Sequence, residues 1–246
     1  MLNIPLITHN RPKSPISEAY RVLRTNIQFS SIDKPLKVIV VTSSGPGEGK
    51  TTTVANLAVT FAQSGSRTLI IDADMRKPRM HRVFGLKNAV GLTNVLVQRY
   101  DYVDCLQKYP DGILDILLCG AIPPNPSELL SSNAMKQFVQ KVREDYDIIL
   151  IDSPPVGTVT DAAILSTIVD GTVLVVASGK IEADSVKKAK ELLQKVNANI
   201  VGVVLNKLVK NAQGNYYYYY YYYYGENNDG AAKKRKRKRK KPVKDE

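Results

Sequence analysis

Lys50 and Thr51 close a glycine-rich turn, Ser44-Gly45-Pro46-Gly47-Glu48-Gly49, which follows the apolar run Val38–Val41 and precedes a long segment starting at Thr52. Strand, glycine turn and helix start together form a setting in which backbone N–H groups turn inward around phosphate oxygens, backed by the positive end of the helix. There Lys50 neutralises β- and γ-phosphates and Thr51 offers its hydroxyl to Mg²⁺. The usual pattern has glycine six residues before the lysine. Here that position is Ser44, so a strict pattern search misses the loop. Ser44 through Thr52 are the candidate contacts to ATP, with Mg²⁺ as the accompanying ion.

Two further acidic positions end apolar runs. Asp72 and Asp74 follow Thr68–Ile71, and Asp152 follows Ile148–Ile151. Taken singly, each is also at home as a cap or turn residue. In a doubly wound sheet, however, the carboxyl ends of the strands gather on the ligand edge. Three carboxylates facing a phosphate loop call for a cation, and Mg²⁺ with several retained waters is the hard-cation answer. Thr51, Asp74 and Asp152 are the metal-side candidates. Asp72 is the candidate base for an attacking hydroxyl, and the choice between Asp72 and Asp74 for that role stays open.

These residues need a scaffold, and 246 residues suit one α/β domain with an extension. Short β-branched runs at 37–42, 68–72, 114–118, 147–152, 172–177 and 200–206 alternate with amphipathic segments. That alternation predicts a mostly parallel, doubly wound sheet with helices on both faces. Helices are expected over 52–64, ending at Gly65, over 182–196, and over 16–29 with Ser17 as cap. Pro126 suits a first helical turn. The division expected is an N-terminal segment 1–35, a phosphate-loop domain 36–210 and a tail 211–246.

The tail carries nine consecutive tyrosines, Tyr216, Tyr217, Tyr218, Tyr219, Tyr220, Tyr221, Tyr222, Tyr223 and Tyr224, then a Gly/Asn/Asp stretch and the basic run Lys233–Lys241. Such a composition cannot bury a core, and the tail is expected to be disordered. The formal net charge is +12, and ten of the 35 Lys and Arg lie in residues 233–246 beside only Asp245 and Glu246. The positive charge therefore belongs to the tail and not to a groove. An anionic membrane surface is a candidate partner for it, at ~1 kcal/mol per basic residue. Nothing reads bases, so no specific nucleic-acid partner is predicted. Cys105 and Cys119 are the two cysteines, too few for a disulfide framework, and fit a reducing cytoplasm. No run approaches the ~20 apolar residues of a membrane span, and the N-terminus has no signal-peptide pattern.

Taken together, Pro-Gly-Glu-Gly-Lys-Thr (46–51), Asp-Ala-Asp-Met-Arg-Lys-Pro (72–78), Ile-Pro-Pro-Asn-Pro-Ser-Glu-Leu-Leu (122–130) and the tyrosine-rich end resemble the bacterial tyrosine kinases of capsule and exopolysaccharide synthesis. The resemblance runs from about residue 16 to residue 206. It implies a P-loop NTPase fold of the MinD/ParA-like superfamily and a protein-tyrosine kinase that autophosphorylates Tyr216–Tyr224, with Lys50, Asp72, Asp74 and Asp152 as its catalytic group. Glu18, Arg21 and Arg24 look like the family's Glu-x-x-Arg-x-x-Arg oligomerisation helix, which joins subunits into a ring. A solvated helix with an internal pair is the plainer reading of the same spacing. Further implied partners are a membrane adaptor that recruits the cytoplasmic chain to the inner face of the plasma membrane, and a cognate phosphotyrosine phosphatase. MinD/ParA-like partitioning or positioning ATPases are the competing function, but their extra loop lysine falls at the position of Gly45. Asn206 resembles an asparagine that contacts adenine across the superfamily, and it equally suits a simple turn.

Overall fold

The computed structural model describes residues 6–31, 35–109 and 114–208. Described residues up to Lys207 belong to one compact unit. The tyrosine run, the basic run and the expected disorder of the tail lie outside the described residues.

Seven strands form one sheet: β1 (Val38–Ser43), β2 (Thr68–Asp72), β3 (Leu106–Lys108), β4 (Leu114–Leu117), β5 (Ile148–Asp152), β6 (Gly171–Ala177) and β7 (Ile200–Asn206), in the order β3-β4-β2-β5-β1-β6-β7. All neighbours pair in parallel except β3 with β4. β1, β2 and β5 are buried throughout, as expected of strands covered on both faces. The short edge strand β3 has no counterpart in the sequence reading, because three residues ending in Gln107 and Lys108 carry no alternation to detect.

The helices are α1 (Ile7–Asn10), α2 (Pro15–Phe29), α3 (Lys50–Gln63), α4 (Met80–Phe84), α5 (Leu92–Leu96), α6 (Tyr102–Cys105), α7 (Pro126–Ser131), α8 (Asn133–Asp145), α9 (Asp161–Ser166) and α10 (Ala183–Lys195). Ile39, Val41, Ile70 and Leu150 pack against α3, Ile27 of α2 and Met80 of α4. The alternate residues Val38, Val40, Leu69 and Ile151 pack on the other face against Leu92, Met135, Phe138 and Val142. Burying each such side chain contributes ~1.5–3 kcal/mol. α10 covers Leu174 and Val176 with Ala189 and Leu193. No helix among the described residues is long and apolar enough to cross a membrane.

The N-terminal helices are fastened to α3. Thr8 donates from both its backbone N and its hydroxyl to Asn56 Oδ1, at 3.1 and 3.0 Å, and Arg24 Nη1 donates to Thr60 O at 2.7 Å. The cap of α2 is Ser14, whose hydroxyl accepts from Ser17 N, followed by Pro15 in the first turn. The expectation of Ser17 as cap is therefore corrected. Ser17 is buried one turn inside, where its hydroxyl reaches the carbonyls of Ile7 and Arg11 and joins α1 to α2. Pro126 does open α7.

Asp170 fixes where β1 begins. Its Oδ2 accepts from Lys37 N at 2.9 Å and Val38 N at 2.8 Å, and its Oδ1 accepts from Arg143 Nη1 at 2.7 Å. Burial opposes its charge, but the bonds from Val38 N and Arg143 outweigh it and hold the carboxyl below its usual range. A depressed carboxyl stabilises the fold above its unfolded value and loses that contribution as pH falls through the folded one. Asp170→Ala should lower unfolding free energy by ~2 kcal/mol at neutral pH, with the gap from the parent narrowing below about pH 4. Urea denaturation across pH measures both, and a pH-independent gap would contradict this account.

Candidate active site

β1 delivers Ser43 to the glycine turn and α3 departs from it at Lys50. Gly47 and Gly49 hold left-handed φ values of 78° and 94°. Gly49 has a second reason to lack a side chain, since a Cβ there would lie 2.3 Å from Asn206 Nδ2. Asn206, at the end of β7, donates from Nδ2 to Glu48 O at 2.9 Å. Its neighbour Lys207, itself left-handed at φ 55°, donates from Nζ to Gly47 O at 2.6 Å. A trans peptide points its N–H opposite its C=O. Drawing the carbonyls of Gly47 and Glu48 toward β7 thus turns the N–H groups of Glu48 and Gly49 to the other side, as an anion cradle requires.

Glu48 holds the turn from within. Its carboxylate is 1% exposed. Oε1 accepts from Ser44 Oγ and Gly45 N, and Oε2 accepts from Ala177 N at 2.9 Å. The side chain is occupied by protein groups on both oxygens, so what it offers a phosphate is its backbone N–H. Pro46 lies between the two loop glycines and Thr52 in the first turn of α3, where its carbonyl accepts from Asn56 Nδ2.

Parallel registry assembles the carboxylates. Asp72 of β2 pairs beside Asp152 of β5, which pairs beside Val41 of β1. Lys50 Nζ lies 2.8 Å from Asp74 Oδ2 and 3.3 Å from Asp152 Oδ1. The four side chains are nearly excluded from water. Burial opposes the charge on Lys50, yet Asp152 and Asp74 overrule it and raise its pKa. Asp72 is pushed well up, first by burial and then by Asp152. Burial also raises Asp152, against the pull of Lys50 and the Thr51 hydroxyl beside it. Asp72 Oδ1 accepts from Asp74 N at 3.3 Å and its Oδ2 from Met80 N at 3.2 Å, while Asp74 Oδ1 accepts from Lys77 N at 3.0 Å.

Between Asp74 and Asp152 lies the Lys50 ammonium. No three acidic, His or Cys side chains among the described residues are grouped to cage a metal. Mg²⁺ nevertheless fits. Asp152 Oδ2 is buried without any hydrogen-bond partner, and with Thr51 and Asp74 it could offer hard oxygen donors to such an ion.

Other candidates fall elsewhere. Arg21 Nη1 donates to Glu18 Oε2 at 2.6 Å, and Arg24 is bound to α3 at Thr60, ten residues or ~15 Å along the helix from Lys50. Tyr216–Tyr224 lie outside the described residues. One group was missed. Arg76 grips the fully buried Asp161 with two bonds, Nε to Oδ2 at 2.9 Å and Nη2 to Oδ1 at 3.0 Å, while Ser127 Oγ joins both. This clamp ties the 72–78 loop to α7 and α9. It was marked in sequence only by two motifs whose partner, Asp161, lies in neither.

Known proteins share this arrangement of elements. A protein-family model described as an AAA domain matches residues 36–201. The chain is 47% identical over 213 residues to tyrosine-protein kinase YwqD of Bacillus subtilis, covering 86% of this chain and 90% of that protein. It is 44% identical over 212 residues to the putative tyrosine-protein kinase CapB of Staphylococcus aureus, covering 86% and 93%. Among solved structures, that of the chimerical protein CapA2B2 superposes with a TM-score of 0.81 at 46% identity, covering 83% of this chain and 90% of that one.

The two loop glycines give a paired test. Gly47→Ala meets nothing within 4 Å and should lose only the ~1–2 kcal/mol of the left-handed conformation. Gly49→Ala adds the collision with Asn206 and should lose at least ~1 kcal/mol more, part of which Asn206→Ala should restore. Denaturant unfolding of the three variants measures this, and equal losses at both glycines would refute the close approach.

Proposed function

This chain belongs to the bacterial tyrosine-protein kinases, and from that footing we propose that it moves the γ-phosphoryl group of ATP onto Tyr216–Tyr224 of another copy of itself. The observation that carries the proposal is Lys50, held between Asp74 and Asp152 at the mouth of the glycine turn beside an unpartnered Asp152 oxygen. An ammonium paired with two carboxylates is ready to exchange them for a more highly charged triphosphate.

In that exchange Lys50 moves its bonds to phosphate oxygens, and the N–H groups of the turn bind the rest. Thr51, Asp74 and Asp152 are left to hold Mg²⁺, which when bound neutralises charge on the β- and γ-phosphates. A tyrosine Oη forms a bond to Pγ as the bond from Pγ to the bridging β-phosphate oxygen breaks, and ADP departs. The phenolic proton passes to Asp72, whose raised pKa makes it a better acceptor than an ordinary aspartate. The 72–78 loop keeps its place through the Arg76–Asp161 clamp.

Transfer between copies suits a tail whose tyrosines start ten residues beyond Asn206, a reach of roughly 30 Å when extended. The finer reading is a ring built through the face carrying Glu18, Arg21 and Arg24, switched on by the cytoplasmic segment of a membrane adaptor. A phosphatase would reset it, and the output would be control of capsular or exopolysaccharide synthesis at the inner membrane face. Phosphates at about −1.5 to −2 each would offset the basic run once four or five are present.

Full-length chain incubated with ATP, Mg²⁺ and such an adaptor segment should acquire phosphate on Tyr216–Tyr224 by mass spectrometry. Lys50→Met should reduce the label at least ~100-fold. ATP hydrolysis without tail label would favour a partitioning or positioning ATPase instead. Because Asp72 accepts a proton only when ionised, kcat should rise with pH along a limb above the usual carboxylate range. Asp72→Asn should lose ~100-fold or more in kcat together with that limb. Survival of the limb in this variant would assign the proton to another group.

A further inference from the structure

From Met75 through Tyr100 the chain has no Asp or Glu and six Lys or Arg. Arg76 is occupied by Asp161. Lys77, Arg79 and Arg82 are exposed, and none of them enters an ion pair among the described residues. Elsewhere on this molecule exposed cations do find carboxylates, as Arg67 finds Asp147 and Lys141 finds Asp101.

The segment bearing these three cations is tied by its backbone to the reactive carboxylates. Lys77 N donates to Asp74 Oδ1 at 3.0 Å, and Met80 N, at the start of α4, donates to Asp72 Oδ2 at 3.2 Å. Met80 and Val83 anchor α4 in the core. Arg79, at the N-cap of α4, and Arg82, within α4, are exposed while the anchors point inward. With Lys77 they make a basic shelf, without ion pairs among the described residues, that directly follows Asp72 and Asp74 in sequence.

We propose that Lys77, Arg79 and Arg82 form a docking surface for phosphotyrosine in the tail of a second copy of this chain, so that one phosphorylated tyrosine holds its neighbours at the transfer site. The inference rests on the kinase reading above and deepens it. An unmodified tyrosine run is neutral and gains nothing from the shelf, and the basic run at 233–241 is repelled by it. Each phosphate converts a neutral side chain into a near-dianion whose oxygens match guanidinium forks. Charge complementarity therefore arises only after the first transfer. Alternate tyrosines of an extended run lie ~7 Å apart, so a phosphotyrosine on the shelf keeps an unmodified one close by. The first phosphate is added slowly and later ones faster, and singly phosphorylated tails are depleted.

Two measurements test this. The first is fluorescence anisotropy with the Lys50→Met full chain and two labelled peptides of sequence 214–228, one carrying phosphotyrosine at Tyr220. The phosphorylated peptide should bind ~10-fold tighter, and the preference should shrink as pH falls through about 6. Arg79→Ala combined with Arg82→Ala should reduce it to under ~2-fold without changing the melting temperature. Equal binding of both peptides, a preference that survives the double substitution, or equal competition by a glutamate peptide of matched charge would each overturn the proposal. The second measurement follows intact tail mass with time under ATP. Wild-type chain should carry more multiply phosphorylated tails than independent addition gives, whereas the double variant should keep its first rate and follow independent addition. Identical distributions overturn the docking. Absence of any tail label in the wild type would instead sink the kinase reading, with the anisotropy still deciding the docking.

Discussion

Everything at the ligand edge depends on one electrostatic arrangement, a single buried ammonium shared by two carboxylates with a third carboxylate alongside. One positive charge cannot balance three buried negative ones: burial first, and then the neighbouring carboxylates, push Asp72 and Asp152 up. The sheet imposes this crowding by placing the ends of β1, β2 and β5 side by side. A core free to choose would avoid it, because unpaired buried charge is costly. The cost is sensible only where a triphosphate and its cation are due to enter.

The glycine turn is braced by the protein's own groups. Glu48 fills the position behind the turn, and Asn206 and Lys207 pull two carbonyls outward. Preorganisation of this kind means that N–H groups are aimed before the ligand arrives, which is where electrostatic catalysis gains most.

Much of this was legible in the amino-acid sequence because the relevant signals are local. Four of the six strands read from apolar runs, β1, β2, β5 and β6, are rich in β-branched residues with both faces buried, and Gly45 to Thr51 announce their own conformation. What escaped depends on pairs distant in sequence. Glu48 sits inside the phosphate-loop motif, yet its partner Ala177 is 129 residues away. Arg76 and Asp161 are separated by 85 residues, and Asp170 reaches back 133 residues to Lys37. No periodicity encodes such matches. The capping serine of α2 was missed for a different reason: Ser14 and Ser17 both suit an N-terminus, and only the burial of Ser17 against Ile7 O separates them.

The face of α2 shows how association between copies would stay adjustable. Glu18 and Arg21 are satisfied within one helix, and both are partly exposed. An exposed pair of that kind contributes only ~0–1 kcal/mol, so exchanging it for the same pair across an interface changes little free energy in either direction. Arg24 differs, since its Nη1 is fixed to Thr60 O and its Nε is buried without a partner. With Arg24 held on α3, the Glu18–Arg21 pair is the part of this face left free to rearrange in the proposed ring.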